Sequence, residues 1–115
     1  MKKKTTASGL AMAFALISSV LSLPVHAVEH VNKRVLFLQS TSSAHDCFFF
    51  VLEGVSQADP VKPGDMWFAF PRSQFGSKDA YAMLLAAKLT DTSVTVHTEG
   101  QMACGYASAA RIMMQ

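Results

Sequence analysis

The sequence of 115 residues contains only two cysteines, no large excess of charge and no apolar run long enough to cross a membrane. Its longest mainly apolar run, at positions 10–23, is about 14 residues long. A transmembrane helix requires about 20 such residues. No second long apolar stretch follows, so we expect the mature chain to be soluble and to have no membrane span.

The apolar run instead fits a secretory signal peptide. Lysines at positions 2–4 precede it, and it closes on Val25-His26-Ala27, the small-x-small pattern that signal peptidase requires. We predict cleavage after Ala27, which makes residues 1–27 the signal and residues 28–115 one small mature domain. The predicted location is secreted or periplasmic. An uncleaved signal anchor is the alternative.

Charge is also scarce in the predicted mature domain. Three of the ten basic residues lie in the signal, so seven basic and eight acidic side chains remain and the net charge is −1. Each neutralised phosphate of a nucleic acid needs its own lysine or arginine. This balance therefore argues against a nucleic-acid partner.

The scarcity of cysteine leaves one pairing. Cys47 and Cys104 are the only two cysteines, and the predicted signal sends both to an oxidising compartment. We predict a disulfide that closes a 58-residue loop, with two separate thiols as the alternative. A domain of this size is marginal without such a crosslink, because it buries only about 60–65% of its unfolded surface.

Motifs for catalysis and for metal binding are missing. The chain has no G-x-S-x-G nucleophile elbow, and no spacing of its acidic residues singles out a pair for glycoside hydrolysis. His45, Asp46 and Cys47 are adjacent, but neighbouring residues of a strand point to opposite faces. We therefore predict that the protein is not an enzyme and that it has no metal site and no cofactor. A compact hydrolase is the alternative.

The apolar pattern predicts a mainly β domain with one helix. The order of elements, β-β-β-α-β-β, is that of the OB-fold, a five-stranded Greek-key barrel. An open antiparallel sheet with one helix packed on it is the alternative. The helix is predicted at residues 78–89, with Ser77 as its N-cap. The strands are predicted at Val35–Gln39 and at residues 46–53, 66–70, 93–98 and 102–114.

Both faces of the second predicted strand are apolar, so both should be covered. By strand alternation we place four large side chains inside the barrel and three on its outer face. The outer set, Phe48, Phe50 and Trp67, would be covered by the helix, by a neighbouring subunit or by a ligand. The inner set is Phe49, Val51, Phe68 and Phe70, and Cys47 is expected to face the same way as Phe49.

A polar ligand site is predicted where the loop after the first strand meets the aromatic strands. Hydroxyl, carboxylate and guanidinium groups there could bind sugar hydroxyls, and an exposed tryptophan could stack on a ring. A plain solvated turn is the alternative. The candidate ligand-binding residues are Ser40, Ser42, Ser43, Asp46, Trp67 and Arg72.

A family resemblance follows from three stretches of the sequence. An aromatic strand surrounds Cys47, WFAFPRS follows at residues 67–73, and YAMLLAAKLTDTSVTVH occupies residues 81–97. With an OB-like element order and a disulfide from the second strand to the last, this pattern resembles the B subunits of bacterial AB-type toxins, in the subtilase cytotoxin and pertussis-like group.

The resemblance implies a homopentameric ring that binds cell-surface glycans, often sialylated, and that carries a catalytic subunit made by another gene. The leading hypothesis is therefore a secreted or periplasmic, ring-forming and glycan-binding subunit of a toxin-like assembly. A periplasmic protein–protein module, such as a small enzyme inhibitor, is the alternative.

Overall fold

The computed structural model describes residues 27–40 and 44–114, which form a six-stranded mixed sheet and one helix. The prediction of a mainly β fold with a single helix is confirmed. No helix within these two ranges is long and apolar enough to cross a membrane. The helix α1 is Ser77–Thr90, and the strands are β1 (Val28–Lys33), β2 (Val35–Gln39), β3 (Cys47–Leu52), β4 (Trp67–Pro71), β5 (Val94–Ala103) and β6 (Tyr106–Met114).

The strands lie in the order β1-β5-β6-β4-β3-β2. All neighbours are antiparallel except β4 and β6, which pair in parallel, so the sheet is not the wholly antiparallel alternative. β1 runs along β5, from Val28 opposite Thr98 to Lys33 opposite Val94. The sequence pattern does not predict β1, and the sheet therefore has one strand more than the predicted five. Only Arg34 separates β1 from β2, although these strands lie at opposite ends of the order.

β3 is buried at all six positions, as its two apolar faces predict. Phe48 stacks on Phe70 and Phe50 stacks on Phe68, with ring centroids 5.1 and 4.8 Å apart. All four rings belong to the main core, so the prediction that Phe48 and Phe50 lie on the outer face is wrong. The reason is the register of the ladder, which places Phe48 opposite Phe70 and Phe50 opposite Phe68. Directly opposite residues share one face of a sheet.

Helix α1 covers this core. Tyr81 meets Phe48 edge-on, with ring centroids 5.2 Å apart. Three covers were possible for Phe48: the helix, a neighbouring subunit or a ligand. The helix is the one observed. Its fully or nearly buried residues are Ala80, Leu84 and Ala87.

The start of α1 differs from the prediction. Gly76 occupies the N-cap position with a φ of 81°, a conformation that glycine adopts without strain. Ser77 is the first helical residue instead of the N-cap, and its hydroxyl donates a hydrogen bond to the carbonyl oxygen of Arg72 at 2.8 Å.

The opposite face of β3 holds the disulfide. Cys47 and Cys104 are joined, which confirms the predicted pairing, and their Cα atoms lie 6.5 Å apart. Cys47, Phe49 and Ala69 form a second, smaller buried cluster, with Tyr106 packed edge-on against Phe49. The prediction that Cys47 and Phe49 face the main core is therefore wrong. The crosslink ties β3 to the turn between β5 and β6.

The long loop between β3 and β4 is fixed by polar contacts of two of its own buried residues, Ala58 and Asp59. Asp59 is fully buried, and its two carboxylate oxygens accept hydrogen bonds from the main-chain nitrogens of Val61 at 2.8 Å and Gly100 at 3.0 Å. The Nε2 atom of His30 lies 2.7 Å from the carbonyl oxygen of Ala58. These contacts attach the loop to β5 and to β1.

Candidate functional site

A groove lined mainly by polar side chains runs over β5 and β6 and is called the polar groove below. It consists of two adjoining cavities of about 220 and 370 Å³, which share Glu99 and Ala110 as lining residues. The smaller cavity is also lined by Gln74, Gln101 and Ser108, and the larger one by Ala27, His97, Thr98 and Arg111.

Strand alternation explains why small side chains form the floor of the polar groove. Ala107 and Ala109 of β6 are buried in the main core, so Ser108 and Ala110 face the other way. Both side chains are small, and they leave space between the larger residues of β5 and the loop before α1. The pairing of β5 with β6 is also irregular between His97 and Met102. The result is a depression in the sheet surface with polar walls.

One wall of the polar groove carries a chain of three ionisable side chains. The Nη2 atom of Arg111 lies 3.5 Å from Nδ1 of His97, and Nε2 of His97 lies 2.9 Å from Oε2 of Glu29. The guanidinium can donate to Nδ1 only when that nitrogen carries no proton. The contact of Nε2 with Glu29 has the distance of an ion pair but does not have the geometry of a hydrogen bond. Arg111 is exposed and keeps further N–H donors for a ligand.

Thr98 lines the larger cavity, but its side chain lies on the other face of the sheet. This residue is fully buried, and within the part of the chain that the structure describes its hydroxyl forms no hydrogen bond. Thr98 pairs with Ala109, which is buried in the main core, and directly opposite residues share one face of a sheet. Its hydroxyl therefore points away from the polar groove and offers no hydrogen bond to a ligand there.

The predicted polar site lies at a different place, at the ends of β2 and β4. The Arg72 guanidinium donates to the carbonyl oxygen of Ser40, and the main-chain nitrogen of Arg72 donates to the carbonyl oxygen of Asp46 at 3.0 Å. Three of the predicted residues thus come together, but Ser40 and Asp46 contribute main-chain oxygens to these contacts. The other two predicted serines, Ser42 and Ser43, lie outside the described residues.

Trp67 belongs to a second groove, which is mainly apolar and is called the edge groove because it follows β2, an end strand of the sheet. The groove has a volume of about 540 Å³. Trp67 packs nearly parallel to Phe37, with ring centroids 6.2 Å and ring planes 19° apart. Trp67 lies against the second cluster, on the side away from the main core, as predicted. The lining residues are Leu36, Phe37, Leu38, Gln39, Trp67 and Lys88.

Metal-ligating side chains do not converge in either groove. Among residues 27–40 and 44–114, no group of three or more His, Cys, Asp or Glu side chains could hold a metal ion. Cys47 is in the disulfide and offers no thiolate to His45 and Asp46.

No motif in the sequence marks the residues of the polar groove as a site. The only local signal is the alternation in β5, which turns His97 away from Val94 and Val96, and every solvated strand shows such a pattern. The groove forms because β5 and β6 pair with each other and the loop containing Gln74 lies beside them. These contacts join residues far apart in the chain.

No protein-family model matches the sequence, and a search of curated proteins finds no match to it.

Proposed function

We propose that the protein is a secreted or periplasmic carbohydrate-binding subunit and that the polar groove is its glycan site. The observation that carries this proposal is the ring of planar polar side chains around a floor of small residues. A sugar presents several hydroxyls on a rigid ring, and each hydroxyl both donates and accepts hydrogen bonds. Amide, carboxylate and guanidinium groups together serve both roles.

The walls of the polar groove offer both acceptors and donors of hydrogen bonds to a sugar. Glu99 accepts hydrogen bonds from neighbouring hydroxyls, whereas Arg111 only donates. The amides of Gln74 and Gln101 do both. The resemblance to toxin B subunits implies glycans that are often sialylated, and Arg111 is a cation within the groove that would receive the carboxylate of such a sugar.

We also propose that the sheet is an OB-like barrel. β1 pairs with β5 and β2 pairs with β3, while Arg34 alone separates β1 from β2. The two strands then act as halves of one bent strand, of which only the β1 half pairs with β5, so that the barrel stays open along β2. The register shift near Asn32, which has a φ of 56°, provides the bend. Counted this way, the barrel has five strands with the helix between the third and the fourth.

The proposed assembly is a homo-oligomeric ring, a pentamer if it is toxin-like, with a separate catalytic subunit as its partner. Large apolar side chains remain exposed on several elements, and burial of such side chains would favour association of subunits. Those of α1 and β6 are Leu85, Leu89, Met113 and Met114.

The glycan site is tested by binding of the mature protein to a glycan array. We expect binding to a defined set of glycans, and we expect Arg111→Ala and Glu99→Gln each to weaken it by about 10- to 100-fold. Hydrogen bonds to charged groups contribute about 1.5–3 kcal/mol each, which corresponds to that range. The dissociation constants are measured by titration calorimetry with the best glycan of the array.

The matched control is Arg34→Ala, which removes an exposed arginine paired with Asp91 at 3.3 Å, outside the polar groove. Its affinity should equal that of the unmodified protein. An array without hits would contradict the proposal and favour the enzyme-inhibitor alternative. Equal affinity of the Arg111→Ala variant would place the glycan elsewhere.

The ring is tested by light scattering coupled to size exclusion. At micromolar concentration we expect the mass of several subunits, five if the assembly is toxin-like, because the exposed apolar residues of α1 and β6 are buried on assembly. A stable monomer would contradict the ring. It would leave the glycan site untouched, since all of that site's residues come from one chain.

A further inference from the structure

We propose that β2 is a docking edge for an extended peptide segment of a partner protein, and that this segment carries acidic residues about four positions apart. The surface is the edge groove together with the cations at its two ends. It is distinct from the polar groove and does not depend on the glycan proposal.

The first support is the position of β2 in the sheet. β2 is the last strand in the order, and within the described ranges it forms a ladder with β3 only. An end strand presents main-chain N–H and C=O groups that can pair with another strand. Extended peptides bind to such edges through main-chain hydrogen bonds, and pockets for alternate side chains provide specificity.

The second support is that this edge is apolar. Leu36 is 40% exposed and Phe37 is 50% exposed, and Phe37 stacks on Trp67 beside the 540 Å³ groove. Natural sheets usually protect an apolar edge with charge, proline, a bulge or a covering element, because an unprotected edge causes aggregation. A peptide with apolar side chains at alternate positions would cover Phe37 and Trp67 and remove this exposure.

The third support is the placement of charge. The Nζ atom of Lys88 donates to the carbonyl oxygen of Leu36 at 3.0 Å, and the Arg72 guanidinium donates to that of Ser40. In the part of the chain that the structure describes, neither cation forms an ion pair with a carboxylate. The edge thus has a positive group near each end.

The spacing of these cations determines how far apart the acidic residues of the partner segment should lie. The four residue-to-residue steps from Leu36 to Ser40 span about 13 Å in an extended chain. Residues i and i+4 of an added strand lie on one face, so two acidic residues four positions apart would meet both cations. Because Lys88 is exposed, it can turn to a carboxylate and release the Leu36 carbonyl to the added strand. A second copy of β2 would instead place a cation of one copy against a cation of the other at each end of the edge, and such like charges repel.

The test uses the mature protein and the blocked peptide Ser-Glu-Val-Thr-Val-Glu-Ser. Trp67 is the only tryptophan of the chain, so its fluorescence reports on the edge groove. We expect the peptide to shift the Trp67 emission and to slow amide hydrogen exchange in β2. The same peptide with lysine in place of both glutamates should bind about tenfold more weakly, since two attractive ion pairs become repulsive.

Matched variants separate strand addition from non-specific contact. Lys88→Gln and Arg72→Gln should each weaken binding of the glutamate peptide by about two- to fivefold, whereas Lys78→Gln, at the other end of α1, should not change it. Proline in place of the central threonine should abolish binding, because it removes a main-chain donor. Circular dichroism of each variant confirms that it is folded.

Three outcomes would overturn the proposal. One is the absence of any peptide response in fluorescence and in hydrogen exchange. Another is equal affinity for the glutamate and lysine peptides. The third is protection of β2 amides without peptide, in an oligomer seen by light scattering, which would make a second copy of the chain the occupant of this edge.

Discussion

Replacement of Phe50 by alanine is expected to lower the free energy of unfolding of the mature protein by about 4 kcal/mol. The Phe50 side chain is completely buried and stacks on Phe68 with ring centroids 4.8 Å apart. Its removal therefore costs both the transfer of the ring from water and a cavity in the core. A domain of 88 residues, the predicted length of the mature chain, is stable by roughly 4–13 kcal/mol, so urea unfolding should show a severely destabilised or unfolded variant.

The matched control for Phe50→Ala is Phe37→Ala. Phe37 lies on the neighbouring strand β2, but half of its surface is exposed and it faces the edge groove. The same change there should cost less than about 1.5 kcal/mol, because a half-exposed ring buries less apolar surface. If both variants lost the same stability, the assignment of Phe50 to the core and of Phe37 to the surface would be wrong.

Loss of the disulfide is the second large effect that we expect. In the chain-entropy model, a crosslink between residues 57 positions apart stabilises the native state by about 4 kcal/mol, because it restricts the unfolded chain. The double variant Cys47→Ala and Cys104→Ala should show this loss in urea unfolding. It should also show a larger dependence of stability on urea concentration, since the unfolded chain without the crosslink is more expanded.

A reducing agent provides the control for the disulfide. It should destabilise the unmodified protein by a similar amount and leave the double alanine variant unchanged. The alanine variant also avoids a polar atom in the cluster around Cys47, where Phe49 and Ala69 are buried. Two reactive thiols in the native protein would contradict the crosslink itself.

Much of the fold could be predicted from local pattern. The helix, β2 and β3 lie within a few residues of their predicted positions, since periodicity and turn residues act over short distances. The disulfide followed from having two cysteines and a predicted oxidising compartment. The faces of β3 could not be predicted in this way, because both are apolar. Only the pairing of Phe48 with Phe70 shows which face belongs to the main core.

The grooves were harder to predict than the fold. Trp67 was correctly placed on the face away from the main core, but its neighbour Phe37 comes from a different strand. Arg111, His97 and Glu29 form one chain of contacts although they are far apart in sequence. Such groups are defined by sheet order and register, and a single sequence contains no local signal for either.

The burial of β3 on both faces also has a consequence for how the protein can diverge. A polar substitution at any of its six positions would bury a polar group without a partner. The walls of the polar groove, such as Glu99 and Arg111, are exposed and can change without such a penalty. In relatives of this chain, we therefore expect the apolar β3 and the cysteine pair to persist while the residues of the groove vary. New ligand specificities would then arise on an unchanged sheet.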